Sequence, residues 1–90
     1  MKFIYDQQKD KTNLQKHGVS LQDASKLDWD DGLFWTDDRK DYGEVRCIGL
    51  VPMKNRLYCI VYMNMGTQRR IISLRKANRR EFMHYEEEIN

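Results

Sequence analysis

Between Glu44 and Arg75 the chain carries three strand-like runs joined by links too short to hold anything but turns. Glu44 to Val51 ends at Pro52, and Met53-Lys54-Asn55 reads as a turn. Leu57 to Met65 is the clearest strand, dense in Tyr, Ile, Val and Cys. Asn64-Met65-Gly66-Thr67 turns the chain again, and Gln68 to Arg75 is the third run. Links of this length cannot carry a crossover, so successive strands must run antiparallel. Short additional strands are available at Lys2 to Tyr5 and at Leu33 to Thr36.

Helices flank this block. Asp6 is placed as an N-cap for a helix over Gln7 to His17, and Gly18 supplies the left-handed stop. Leu14 is the only aliphatic residue of that helix. Lys9, Asn13 and Lys16 share one face of it, with His17 beside them. Ser20 opens a second predicted helix, with Asp23 at N3, a Val19–Ala24 staple, and Leu21, Ala24 and Leu27 as its apolar face. Asp28 to Gly32 is turn-like, and Asp37 to Gly43 is a charged loop. Asn78 and Glu81 form a capping box for a last helix from Arg79 to about Ile89, whose Phe82, Tyr85 and Ile89 stripe is expected to pack on the core. The class that follows is α+β: N-terminal helices, a twisted antiparallel sheet of three to four main strands, and a C-terminal helix, in one domain over residues 1–90.

Composition limits the function. A 90-residue chain with 40% hydrophobic and 33% charged residues suits a single soluble domain. No apolar run is long enough to span a bilayer, and the first residues lack a signal-peptide core, so a cytoplasmic location is expected. Cys47 and Cys59 have neither disulfide-scaffold nor zinc spacing and read as buried thiols. No phosphate-binding glycine loop, metalloprotease helix or nucleophile elbow is present. No metal or other cofactor is expected, because the acids between Asp28 and Glu44 match no metal loop.

Net charge is only +2, but it is segregated. Residues 1–44 hold seven basic and ten acidic residues; residues 45–80 hold nine basic and no acidic ones; the last ten residues add four glutamates. Such a stretch points to a polyanion-facing surface, and five of the six cations between 69 and 80 are arginines, suited to bidentate phosphate contacts. Arg79 and Arg80 open the last helix and Glu86 to Glu88 close it, each against the helix dipole. That order makes sense if cations and the helix N-terminus converge on one anion. RNA carries its own nucleophile, the 2′-hydroxyl, so cleavage needs only positioning, proton transfer and charge neutralisation. Candidate proton-transfer groups are His17, His84, Glu44, Tyr42 and Tyr62, with His17 at a helix C-terminus that favours its cationic form. Equally, His17 serves as a helix cap, and Glu44 orients Arg46 or forms an ion pair across neighbouring strands.

These residues resemble the BrnT ribonuclease toxins of bacterial toxin–antitoxin pairs. The resemblance rests on Tyr5-Asp6 with Lys9 and Asn13, then Lys16-His17-Gly18-Val19-Ser20, Asp30-Asp31 and Asp38, Gly43-Glu44 with Arg46 and Gly49, and Val61-Tyr62. Its most specific part is Arg70-Ile71-Ile72-Ser73-Leu74-Arg75-Lys76-Ala77, followed by Arg80-Glu81 and Tyr85. It implies a fold similar to RelE-type toxins and metal-independent cleavage of an RNA substrate. It also implies a BrnA-like ribbon-helix-helix antitoxin, a heterotetramer built on an antitoxin dimer, and operator DNA bound through the antitoxin. Arg46, Arg70, Arg75 and Arg80 are the candidate phosphate and transition-state groups, Lys16 and His17 the next catalytic candidates, and Lys9, Lys76 and Arg79 candidate RNA-binding cations. Arg70 and Arg75, five apart, point to opposite faces of an unbroken strand. The expectation is therefore an anion site at the strand end and helix start, with Arg46 on a neighbouring strand and Arg70 joining through a bulge or serving the antitoxin. The alternative reading is a non-catalytic or decayed relative that binds antitoxin or nucleic acid.

Overall fold

The computed structural model describes residues 1–39, 41 and 43–89. The elements in chain order are β1 (Lys2–Ile4), α1 (Gln7–His17), two short 3₁₀ segments (Leu21–Lys26 and Trp29–Asp31), β2 (Leu33–Asp37), β3 (Arg46–Met53), β4 (Arg56–Met65), β5 (Gln68–Lys76) and α2 (Arg79–Ile89). The strands form one five-stranded sheet in the order β1-β5-β4-β3-β2. The hairpin block is antiparallel as its turns require, but β1 lies parallel to β5, pairing Lys2 with Gln68 through Ile4 with Arg70. The sheet is thus mixed and wider than three to four strands, because both ends of the chain segment before β3 add edge strands. Pro52 fits within β3 because β2 stops at Leu33 opposite Leu50, leaving an edge there.

The second predicted helix is a 3₁₀ segment instead. Its apolar residues Leu21, Ala24 and Leu27 recur every three positions, a spacing that eclipses on a 3₁₀ turn and lets all three bury together. Ser20 still caps it, its hydroxyl oxygen accepting from the Gln22 amide at 3.1 Å.

The two faces of the sheet carry separate clusters. On the face under the 3₁₀ segments, hereafter the α1 face, Leu21, Ala24, Val51, Ile60, Ile71 and Leu74 form the main core. Each fully buried aliphatic side chain there contributes roughly 1.5–3 kcal/mol. On the α2 face, Ile48, Leu50, Leu57 and Cys59 pack with Leu33, Val61, Ala77 and Tyr85. Phe34 extends the first cluster: it stacks on Trp29 and lies over Gly32 and Gly49, where an added Cβ at Gly49 would stand 2.7 Å from its ring.

α1 is attached by polar groups rather than by apolar burial. Leu14 is half-exposed, and only Asn13 of this helix is buried. Past Ile4, among the described residues, no strand lies along the outer edge of β5, and the Asn13 carboxamide takes that place. Its Oδ1 accepts from the Leu74 N–H at 3.2 Å, and its Nδ2 donates to the Leu74 and Val19 carbonyls at 2.8 Å each. Asp10 adds a second anchor, accepting from the Ser20 hydroxyl and the Leu21 amide. α2 differs from expectation. Tyr85 docks, its hydroxyl donating to the Asp31 carbonyl at 2.6 Å, but Phe82 and Ile89 stay about half exposed, as does Met83.

Candidate nucleic-acid interface

The register of β5 decides which cations meet. Val61 pairs with Ser73 and Tyr62 with Ile71, so Ile72 is an extra residue that bulges the strand. Arg70 then stands opposite Met63 and Arg75 opposite Cys59, both on the α2 face. The bulge removes the parity difference between two residues five apart, and Arg70 and Arg75 share a face.

That face is tiled by three cross-strand rows. Leu33, Leu50, Cys59 and Arg75 make the first; Trp35, Ile48, Val61 and Ser73 the second. The third holds Asp37 and Arg46 and, continuing the register by one, Met63 and Arg70. α2 with Ala77 covers the first row. The other two form a less covered strip, the trough, on which Val61 and Met63 are half-buried while Ile48 and Asp37 are buried. Arg46 is not on a strand neighbouring β5, as expected from sequence. β4 intervenes, which puts Arg46 about 10 Å from Arg70 and in Arg70's row rather than Arg75's. Glu44, just before β3, pairs with Arg46 along the chain at 3.3 Å rather than across strands. Arg39, bound to the buried Asp37 at 2.8 Å, reaches over the same face and feels Arg75 electrostatically.

The anion expected between Arg75 and the last helix is present, but it is the protein's own. Glu81 Oε1 accepts from the Asn78 N–H and from Arg75 Nη1, both at 2.8 Å, and Oε2 accepts from Arg75 Nη2 at 2.8 Å. The Glu81 N–H donates in return to Asn78 Oδ1 at 2.8 Å, closing the capping box. The hydrogen bonds from Arg75 hold the Glu81 carboxyl below the ordinary glutamate range, and Glu81 raises the Arg75 guanidinium in turn. Arg79, Arg80 and Lys76 are exposed. Arg79 and Arg80 line a surface hollow with Met83, His84 and Glu87 and do not share the Glu81 site. Among the described residues Arg70 has no acidic partner.

On the outer edge of β5, two adjoining hollows of about 300 and 240 Å³ share Lys9 and Ile72 and form one groove against α1. Tyr5, Lys9 and Arg70 line one end, and Lys16, His17 and Ser73 the other. Burial lowers the His17 pKa below the ordinary imidazole value, with Lys16 and Arg75 adding to the effect. The dipole argument from sequence pointed the other way; partial burial and two nearby cations outweigh it, and His17 favours its neutral form. Thus Lys16, His17, Arg70 and Arg75 lie around β5, Arg46 lies across the trough, and Arg80 stands on α2.

Other candidates are placed elsewhere. Tyr62 is buried on the opposite, α1 face, against Trp29 and Phe34, and burial raises its pKa. Tyr42 lies outside the described residues. Burial pushes the Cys59 thiol up to about 11, and both cysteines are free. His84 packs edge-to-face on Trp35. Among the described residues no three His, Cys, Asp or Glu side chains converge as a metal site requires, and no helix is long and apolar enough to cross a membrane. Sequence reasoning missed Trp35, Arg39 and the Arg75–Glu81 pair. Strand parity was a signal for Trp35, whereas a capping glutamate gives no sign of a second partner.

A family model described as the ribonuclease toxin BrnT of type II toxin–antitoxin systems matches residues 5–81. The chain belongs to the BrnT family. A comparison with curated proteins gave no match. BrnT membership makes the chain a ribonuclease toxin at the level of the family and implies an antitoxin as its partner. The matched range takes in α1, all of β5 and Glu81, and hence nearly all of the groove, the trough and the Arg75–Glu81 pair.

Proposed function

We propose that this BrnT toxin is a metal-independent RNA endonuclease whose substrate crosses β5 from the trough into the α1 groove. The observation that carries this reading is the bulge at Ile72, which puts Arg70 and Arg75 on one face, with Arg75 near His17 and Arg70 at the far end of the groove that Lys16 and His17 line. The neutral His17 imidazole takes the proton of a 2′-hydroxyl, whose oxygen attacks the adjacent phosphorus. The P–O5′ bond breaks, and Lys16 returns a proton to the leaving oxygen, giving a 2′,3′-cyclic phosphate and a 5′-hydroxyl. Arg70 and Arg75 stabilise charge on the phosphorane-like transition state, and Arg46 and Arg80 hold flanking phosphates. Lys9, Lys76 and Arg79 add sequence-independent attraction. In this reading the toxin acts in the cytoplasm, and a ribbon-helix-helix antitoxin dimer neutralises it in a heterotetramer that represses the operon through the antitoxin's DNA contacts.

The test is purified toxin on RNA with and without EDTA. Cleavage that survives EDTA and leaves cyclic phosphate ends supports the mechanism. Strict Mg²⁺ dependence, or efficient cleavage of DNA, refutes it. One observation favours a second reading, a toxin-like module that binds without cleaving: Arg75 is already neutralised by Glu81. RNA binding with no cleavage by wild type, and no growth arrest on expression without the antitoxin, would select that reading.

A further inference from the structure

Packing accounts for only part of Trp35, which stands opposite the buried Ile48. Side chains alternate along β2, so Phe34 turns to the α1 face and Trp35 to the trough, opposite Ile48. A buried indole normally finds a partner for its N–H, and Trp29 does so, donating to the Ala24 carbonyl at 2.8 Å. Among the described residues Trp35 makes no such bond, and 38% of its surface is exposed. It is nevertheless held: the His84 ring meets it at 85°, centroids 5.7 Å apart. Cations stand nearby. Arg46, already paired with Glu44, lies in the next row of the sheet, and Arg80 precedes His84 by one turn on the same flank of α2. A braced, part-exposed aromatic ring among cations is how proteins hold single-stranded nucleic acid: the base stacks, and the cations take nearby phosphates. A duplex keeps its base faces stacked inside the helix and offers none to a ring lying on a sheet.

We propose that Trp35, braced by His84, is a stacking platform for one unpaired nucleobase, which directs this toxin to single-stranded segments of RNA. The proposal rests on the RNA reading of the trough and supplies its specificity for strand type. Base–aromatic stacking changes affinity by roughly 5- to 150-fold per base.

Fluorescence anisotropy with two labelled probes tests it: a short 2′-O-methyl oligonucleotide, and an abasic strand of the same length and charge. Trp35→Leu retains apolar cover over Ile48 without a π face; Trp35→Phe retains a ring. The leucine variant should lose roughly 5- to 150-fold on the base-bearing strand and nothing on the abasic one, while the phenylalanine variant stays close to wild type. Equal affinities of the two variants for the base-bearing strand, or an equal loss on both strands, would overturn the platform. Cleavage of unmodified RNA is followed in parallel. If wild type shows the base preference but never cleaves, the nuclease reading fails and the platform stands. If wild type binds both strands alike, the platform fails whatever the cleavage result.

Discussion

Asn13→Ala is expected to detach α1 from the sheet. The substitution leaves three backbone groups without their partner: the Leu74 N–H, the Leu74 carbonyl and the Val19 carbonyl. An orphaned buried polar group costs about 1–3 kcal/mol. The groove beside Asn13 opens part of the site, so the lower half of that range applies, and the loss over three groups sums to about 3–6 kcal/mol. This is a large fraction of the roughly 5–15 kcal/mol that stabilises an ordinary domain. Little else compensates, because α1 has no buried apolar residue. Asn13→Asp should be worse, since a carboxylate oxygen would replace the amide nitrogen that donates to two carbonyls. Urea unfolding followed by tryptophan fluorescence measures both, and RNA cleavage should fall with them because Lys9, Lys16 and His17 ride on the same helix. A loss of less than roughly 1 kcal/mol for Asn13→Ala, or an aspartate variant more stable than the alanine one, would refute the account of how this helix is held.

Glu81→Gln should flatten the acid limb of stability. The Glu81 carboxyl titrates below its ordinary range in the folded state, so the Arg75 pair stabilises fully above the unfolded value and is lost as pH falls through the lowered one. Identical dependence of the unfolding midpoint on pH in wild type and variant would contradict this. His17→Asn should lower kcat about 10²–10⁴-fold and remove an acid limb of kcat/KM. That limb lies below the ordinary imidazole pKa, since His17 must be neutral to accept a proton; a profile unchanged by the substitution argues against His17 as base. Arg75→Ala should cost about 2.7–4 kcal/mol in transition-state stabilisation, and Arg75→Lys should keep the fold but lose the bidentate grip. Full growth arrest by both variants would remove Arg75 from the site. Gly49→Ala should destabilise by about 1–3 kcal/mol by driving Phe34 off Trp29, visible as a lowered unfolding midpoint.

Relations that span one turn or one hairpin were legible in the sequence. Asp6 and Gly18 bound α1, and Asn78 with Glu81 starts α2, because a cap needs only a side chain and backbone groups two to four residues away. The hairpins of β3 to β5 followed from the shortness of their links. The concentration of arginines near β5 was equally plain, since charge counts need no coordinates. Relations between distant segments were not legible. That β1 joins β5 in parallel, and that Asn13 completes the β5 edge 61 positions away, depends on which surfaces remain open once the hairpins form. A single extra residue at Ile72 reverses the parity of everything after it, which decides that Arg70 and Arg75 share a face. Tertiary contact alone turns Glu81 from a helix cap into the partner of Arg75, and burial beside two cations turns His17 toward its neutral form. Hydrogen bonds within a turn are fixed by chain geometry, whereas charge pairing and burial depend on distances that only the folded sheet sets.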